Sequence, residues 1–100
     1  MKGLSLLGLA QRAGKLASGY EAVRRAVLGG RARLIVISMD ASAKTAERVR
    51  RIAEAKRVPC VEVASMRELG QAIGQPDRAV VAVLDQGFAR AVREALLRGE

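Results

Sequence analysis

Apolar residues along this chain change period repeatedly, from helical spacing to the unbroken runs of a strand, with no Pro/Ser-rich linker or low-complexity tract between them. Over residues 3–13, Leu6, Leu9, Ala10 and Ala13 predict one helical stripe, closed by Gly14 in the position where many helices take a left-handed turn. Residues 15–17 predict a very short extended piece. Ser18 and Glu21 then stand at the S-x-x-E spacing of a capping box, opening a helix whose Tyr20, Val23 and Val27 share a face and which Gly29 and Gly30 end. Residues 33–38 (RLIVIS) are apolar toward both pleat faces, as a central strand covered on either side requires. A helix over 44–56 turns Ala46, Val49, Ile52 and Ala53 inward and Arg48, Arg50 and Arg51 outward.

Pro59 opens a second strand running to Val63, where a missing N–H costs least. Ser65 and Glu68 repeat the capping-box spacing ahead of a short helix that ends at Gly70 or Gly74. Residues 79–84 (AVVAVL) predict a third buried strand, and Phe88, Val92 and Leu96 lie four apart on a last helix after Asp85. The alternation predicts an α/β protein: a three-layer α/β/α sandwich around a small, mixed, four-stranded sheet, in one domain over residues 1–100.

Charge changes this picture from a fold to a partner. Seven of the eighteen cations (Lys2, Arg12, Lys15, Arg24, Arg25, Arg31, Arg33) fall within residues 1–33 against one acid, Glu21, so +6 of the net +8 sits in that third. Such a concentration beside glycine turns is the footprint of a protein that grips a polyanion, RNA or DNA. Arginine outnumbers lysine fourteen to four, which suits bidentate phosphate contacts but equally a GC-rich genome or a thermophilic host. With no histidine and one cysteine there is no zinc cluster and no common general base. G-x-G-x-x-G, Walker and nucleophile-elbow motifs are also missing. A non-enzyme without metal, cofactor or small-molecule substrate is expected. Tyr20 and Phe88 are the only aromatics, too few for a platform that stacks bases. Cys60, in an apolar run after Pro59, is expected as a reduced core residue, and no apolar stretch matches a bilayer, so a cytoplasmic protein without membrane contact is expected.

Gly14-Lys15, Ser18-Gly19-Tyr20, Arg25-Ala26-Val27, the basic Gly30-Arg31-Ala32-Arg33 before LIVIS, Asp40-Ala41, Val58-Pro59, Leu69-Gly70 and Ile73-Gly74 resemble the kink-turn-binding ribosomal protein superfamily. Leu6-Leu7-Gly8-Leu9-Ala10 and Asp85-Gln86-Gly87-Phe88-Ala89 look like its bacterial YlxQ-like branch, and the resemblance covers nearly the whole chain. It implies the same three-layer sandwich and a cytoplasmic, ribosome-associated or otherwise RNA-binding protein without a cofactor; a monomer is expected. The superfamily's RNA-reading motif is G-x-N-E-x-x-K at the start of the second helix. Gly19 stands at its glycine and Arg25 at its lysine, while Glu21 and Ala22 replace the Asn and Glu. Glu21 can accept from a base amino group but offers no amide donor, and Ala22 reads nothing.

The residues alone support the same edge. Gly14 and Gly19 remove bulk on either side of Lys15, and the helix beyond offers free N–H groups and the positive end of its dipole. Glycine, Ser18 and Glu21 also have plain roles as turn and cap residues, and Tyr20 suits the core or the rim at the helix entrance better than base stacking. Arg24 and Arg25 point about 100° apart, so one groove takes only one of them, and Arg25 matches the motif. The loop 39–42, with Asp40, and the loop 74–78, with Arg78, are expected at the same sheet end under the superfamily topology. Asp40 is otherwise a cap of the next helix and Arg78 a solvated cation. Lys44, Arg48 and Arg51, among Glu47 and Glu54, form a solvated helix face rather than a site.

The candidate RNA-binding set is Lys15, Gly19, Tyr20, Glu21, Arg25, Arg31, Arg33, Asp40 and Arg78. Its expected target is a kinked or looped structured RNA (a kink-turn or internal loop, ribosomal RNA first), since a plain A-form duplex hides its base edges. The alternative is a protein-interaction scaffold that keeps the fold after losing kink-turn recognition.

Overall fold

The computed structural model describes residues 1–99; Glu100, the last residue of the expected domain, lies outside them. The chain runs α1 (Lys2–Arg12), β1 (Leu16–Ser18), α2 (Tyr20–Leu28), β2 (Leu34–Ile37), α3 (Ala43–Ala55), β3 (Cys60–Glu62), α4 (Met66–Ala72), β4 (Val80–Val83) and α5 (Gln86–Leu97). The sheet order is β1-β4-β2-β3, with β4 antiparallel to both β1 and β2, and β3 parallel to β2. This is the mixed four-stranded sheet and three-layer sandwich that the alternation predicts.

The two central strands explain why their sequences carry no polar residue. All four residues of β2 and all four of β4 are buried. Ile35, Ile37, Val80 and Ala82 face α2 and α3, where they meet Val23, Val27 and Val49. Their neighbours Leu34, Val36, Val81 and Val83 face Leu7 of α1, Leu69 of α4 and Val92 of α5. Each strand thus divides its side chains between two cores by the period-2 rule, and neither face reaches water.

Several helix ends repeat one device. After α1, Gly14 N–H bonds Gln11 O and Lys15 N–H bonds Ala10 O, the pair of bonds of a Schellman turn with Gly14 at φ +72°. The turns after α2 and α4 do the same around Gly30 and Gly74. After α3 the left-handed position is held by Arg57, at φ +57°, while its N–H bonds Glu54 O and that of Val58 bonds Ala53 O.

Some expectations need correction. The buried stripe of α1 is Gly3, Leu7 and Ala10; Leu9 is 44% exposed and Ala13 exposed. A run of four leucines in six positions offers more than one stripe, and packing between α4 and α5 selects the one through Leu7. Of the two stops expected for α4, the one at Gly74 holds: the helix passes through Gly70, whose place is explained instead by the overlap a Cβ there would make with Pro76 O. The Ser65–Glu68 capping box forms as predicted. At Ser18–Glu21 no capping box forms: Gly19 is the N-cap of α2 and Ser18 belongs to β1.

Cys60 is half-buried on the edge strand β3 rather than deep in the core, and burial raises its thiol pKa above the ordinary 9.0, with the nearby Arg50 opposing. Arg50 itself pairs with Glu62 of β3.

Candidate nucleic-acid interface

The register assigns every connection to one of two sheet ends. Gly19 N–H bonds Val80 O, Ser38 N–H bonds Ala79 O, and Val63 N–H bonds Ile37 O, so the start of α2 shares an end with the loops 38–42, 63–65 and 73–79. At the opposite end Leu84 N–H bonds Lys15 O, Arg33 N–H bonds Val83 O and Ile35 N–H bonds Pro59 O. Lys15 and Gly19 are four positions apart in sequence but sit at opposite ends of β1, about 13 Å apart at the rise of an extended chain. The set predicted from sequence as one surface is therefore divided. Gly19, Tyr20, Glu21, Asp40 and Arg78 gather at the first end, while Lys15, Arg31 and Arg33 gather at the second.

At the first end Gly19 has φ +89° and ψ 157°, a region open essentially to glycine alone. A Cβ there would touch nothing within 4 Å, so the space above it is open. Caps on α3, α4 and α5 come from the side chains of Ser42, Ser65 and Asp85. No side chain caps α2, and the N–H groups of Tyr20, Glu21 and Ala22 have no acceptor among the described residues. They form a small positive cradle beside a Cβ-free backbone, suited to an anionic oxygen. Glu21 is exposed in that first turn, and Tyr20 is half-buried against the core beneath α2, which makes it a positioning residue. Arg25 is exposed about 9 Å farther along the helix.

The flanking loops are tied down by contacts that sequence spacing did not expose. Asp40 caps nothing in α3; its Oδ1 accepts from Met66 N–H at 2.8 Å, joining the β2–α3 loop to the start of α4. Arg78 is no loose loop cation. Its Nε donates to Ser18 Oγ at 3.4 Å, Nη1 to the carbonyls of Asp77 (3.1 Å) and Pro76 (3.4 Å), and Nη2 to Gln75 Oε1 at 3.3 Å. Of its five N–H groups, one on Nη2 remains for a ligand. Ser18 and Gln75, which hold Arg78, and Met39, 71% exposed, lie at this rim beside the candidate residues. Ser18 lies 60 positions from Arg78, so no local pattern could have paired them, whereas Gln75 is only three positions away on the same loop.

A mixed four-stranded sheet between five helices, with a glycine-led helix start that no side chain caps at one sheet end, defines the chain as a small α/β-sandwich protein. The profile of the Ribosomal protein L7Ae/L30e/S12e/Gadd45 family matches residues 1–93, and the chain belongs to that family. It is 44% identical over 89 residues to RNA-binding protein YlxQ of Bacillus subtilis (strain 168), covering 89% of each chain. To RNA-binding protein YlxQ of Enterococcus faecium it is 37% identical over 95 residues, covering 95% of this chain and 91% of the other. A structure of a protein of unknown function from Bacillus halodurans C superposes with TM-score 0.89 at 39% identity, covering 99% of this chain and 98% of that one. The Giardia lamblia 15.5kD RNA binding protein shares the fold at TM-score 0.81 and 22% identity, over 95% of this chain and 82% of its own.

Proposed function

We propose that this protein acts as a single RNA-binding domain, without catalysis, and recognises a kinked or looped element of structured RNA at the Gly19 rim. The observation that carries the reading is the open N-terminus of α2: three amides without acceptors behind a glycine with empty space above it. The relatives named RNA-binding proteins, at 44% and 37% identity, support the ligand class. A backbone phosphate docks on the amides of Tyr20, Glu21 and Ala22. Glu21 accepts from the amino group of an unstacked base, and Arg25 reaches a guanine edge or phosphate farther along the opened groove. Arg78, held by Ser18 and Gln75, gives its remaining N–H in a fixed direction, and Asp40 keeps its own loop in place.

Ribosomal RNA is the proposed target, bound by a monomer in the cytoplasm in association with the ribosome. No helix among the described residues is long and apolar enough to cross a membrane.

The test compares a hairpin carrying a kinked internal loop with the same stem fully paired. The looped hairpin should bind more tightly, and Arg25→Gln should cost it about tenfold or more, the worth of one charged hydrogen bond. Arg48→Gln, on the outer face of α3, should change it less than twofold. No preference for the loop, or equal losses from the two substitutions, overturns the proposal. The competing reading, a protein-interaction scaffold, rests on Glu21 and Ala22 standing where the superfamily motif has Asn and Glu. It predicts a protein partner bound with weak salt dependence and no preference among RNAs.

A further inference from the structure

The densest positive charge on the molecule lies at the sheet end away from the Gly19 rim. The four connections there, residues 13–15, 29–33, 56–59 and 84–85, carry Lys15, Arg31, Arg33, Lys56 and Arg57, all exposed. Their one acid, Asp85, is engaged as the N-cap of α5 through Phe88 N–H at 2.9 Å. At the Gly19 end the corresponding connections hold one cation, Arg78, against Asp40 and Asp77. None of the five cations has a carboxylate within salt-bridging distance among the described residues.

Helix dipoles do not cancel this field. The C-termini of α1, α2 and α3 all point to this end and together count as about −1.5 elementary charges, against five full positive ones. The cations are also held at fixed spacing. Lys15 and Arg33 pair their backbones with Leu84 and Val83 on either side of β4, which puts them two strands, about 10 Å, apart. Arg57 continues the row on the approach to β3, in a left-handed conformation where the matching turns after α1, α2 and α4 all use glycine. An arginine standing at a glycine position gives up backbone ease for a side chain presented to solvent.

We propose that this end is a second RNA surface, one that takes the phosphate backbone of an A-form duplex without reading sequence, so that the protein can join a duplex segment to whatever the Gly19 rim holds. An exposed row of guanidinium and ammonium groups from three separate turns matches a regular polyanion. An acidic peptide fits less well. The adjoining groove of about 280 Å³ is lined by Arg33, Arg90 and Arg93 with the acid Glu94 among them, whereas Lys15, Arg31 and Arg57 lie outside it. The positive row is wider than the groove. This surface does not depend on the rim's recognition of a looped RNA.

The test uses a 20-base-pair RNA duplex without loops, titrated by fluorescence anisotropy over a range of salt, with the full chain and with the triple variant Lys15→Gln/Arg33→Gln/Arg57→Gly. Glycine suits the backbone at position 57, so the variant keeps its turn. The variant should bind the duplex at least tenfold more weakly at low salt, and its slope of log K against log salt should be shallower by about 2 to 3, from three lost phosphate contacts. A control with the same charge loss on α3, Lys44→Gln/Arg48→Gln/Arg51→Gln, should change the slope by less than one. In a second arm, the wild type bound to an immobilised looped hairpin should capture the fluorescent duplex, and the triple variant should hold the hairpin without capturing it. Equal losses from the two triple variants, or duplex binding untouched by the first, overturns the proposal. So does displacement of the duplex by poly-glutamate as readily as by unlabelled duplex, which would assign this end to an acidic protein. Failure to bind the hairpin with retained duplex binding sinks the rim reading alone, since the direct duplex titration still decides this surface.

Discussion

The guanidinium of Arg78 and the hydroxyl of Ser18 meet at 3.4 Å across 60 positions of sequence, strapping the loop before β4 to the strand that delivers Gly19. The strap holds the two sides of the rim in register, and its other three bonds all close on its own loop. Arg78→Ala should cost about 0.5–1.5 kcal/mol in urea unfolding. Ser18→Ala should cost less, since one long bond is lost. A double-mutant cycle between them should give a coupling of about 0.5 kcal/mol or more. Arg78→Lys should not restore it, because an ammonium cannot reproduce the planar fork. Additive losses would show that the strap carries no energy.

Close approach decides Gly70. Alanine is worth about 1 kcal/mol more than glycine inside a helix, but here its Cβ would sit 2.2 Å from Pro76 O and 2.8 Å from Gln75 O, both backbone atoms. Displacing that loop should cost about 1–3 kcal/mol, so Gly70→Ala is expected to be net destabilising by calorimetry and to disturb the backbone that precedes Arg78.

Backbone strain at Arg57 can be separated from its charge by two substitutions. Arg57→Gly and Arg57→Ala both remove the guanidinium, but only glycine accepts φ +57° without penalty. The glycine variant should be the more stable by about 1 kcal/mol, a difference of about 4–8 °C in Tm for a chain of this size. Equal Tm values would mean that the turn relaxes when the side chain is shortened.

Cys60 should behave as a sluggish thiol. Burial raises its pKa above the ordinary 9.0, and the opposing pull of Arg50 is weaker. Alkylation by iodoacetamide at pH 8 should therefore be slower in the native protein than in urea-unfolded chain. The sign for stability follows from the neutral thiol being favoured in the folded state. Its contribution is complete below the unfolded pKa and is lost as pH rises through the higher native one, so Cys60→Ser should flatten stability only above about pH 9.

Much of the architecture was legible because β2 and β4 are written as unbroken apolar runs and because turn residues punctuate every element. The capping boxes show where legibility ends. Ser65–Glu68 and Ser18–Glu21 have the same spacing, yet only the first forms, since Ser18 is consumed by strand pairing and its hydroxyl by an arginine 60 positions away. Asp40 was legible as a residue with a local role but not as the acceptor of Met66 N–H, a contact that exists only after β2 and β3 align. The divided site failed to show for a simpler reason. Four residues of helix keep their ends about 6 Å apart, whereas four residues of strand carry them about 13 Å, so the secondary structure between Lys15 and Gly19 decides whether they are neighbours.

A sheet whose two ends differ so much in charge makes the molecule an electric dipole lying along its own strands. In the field of a polyanion such a body turns before it touches, with Lys15, Arg33 and Arg57 leading and the Gly19 cradle trailing. On the two-surface proposal, encounter is oriented from the outset, and the slow search for a matching base edge begins from a complex already anchored by its far side.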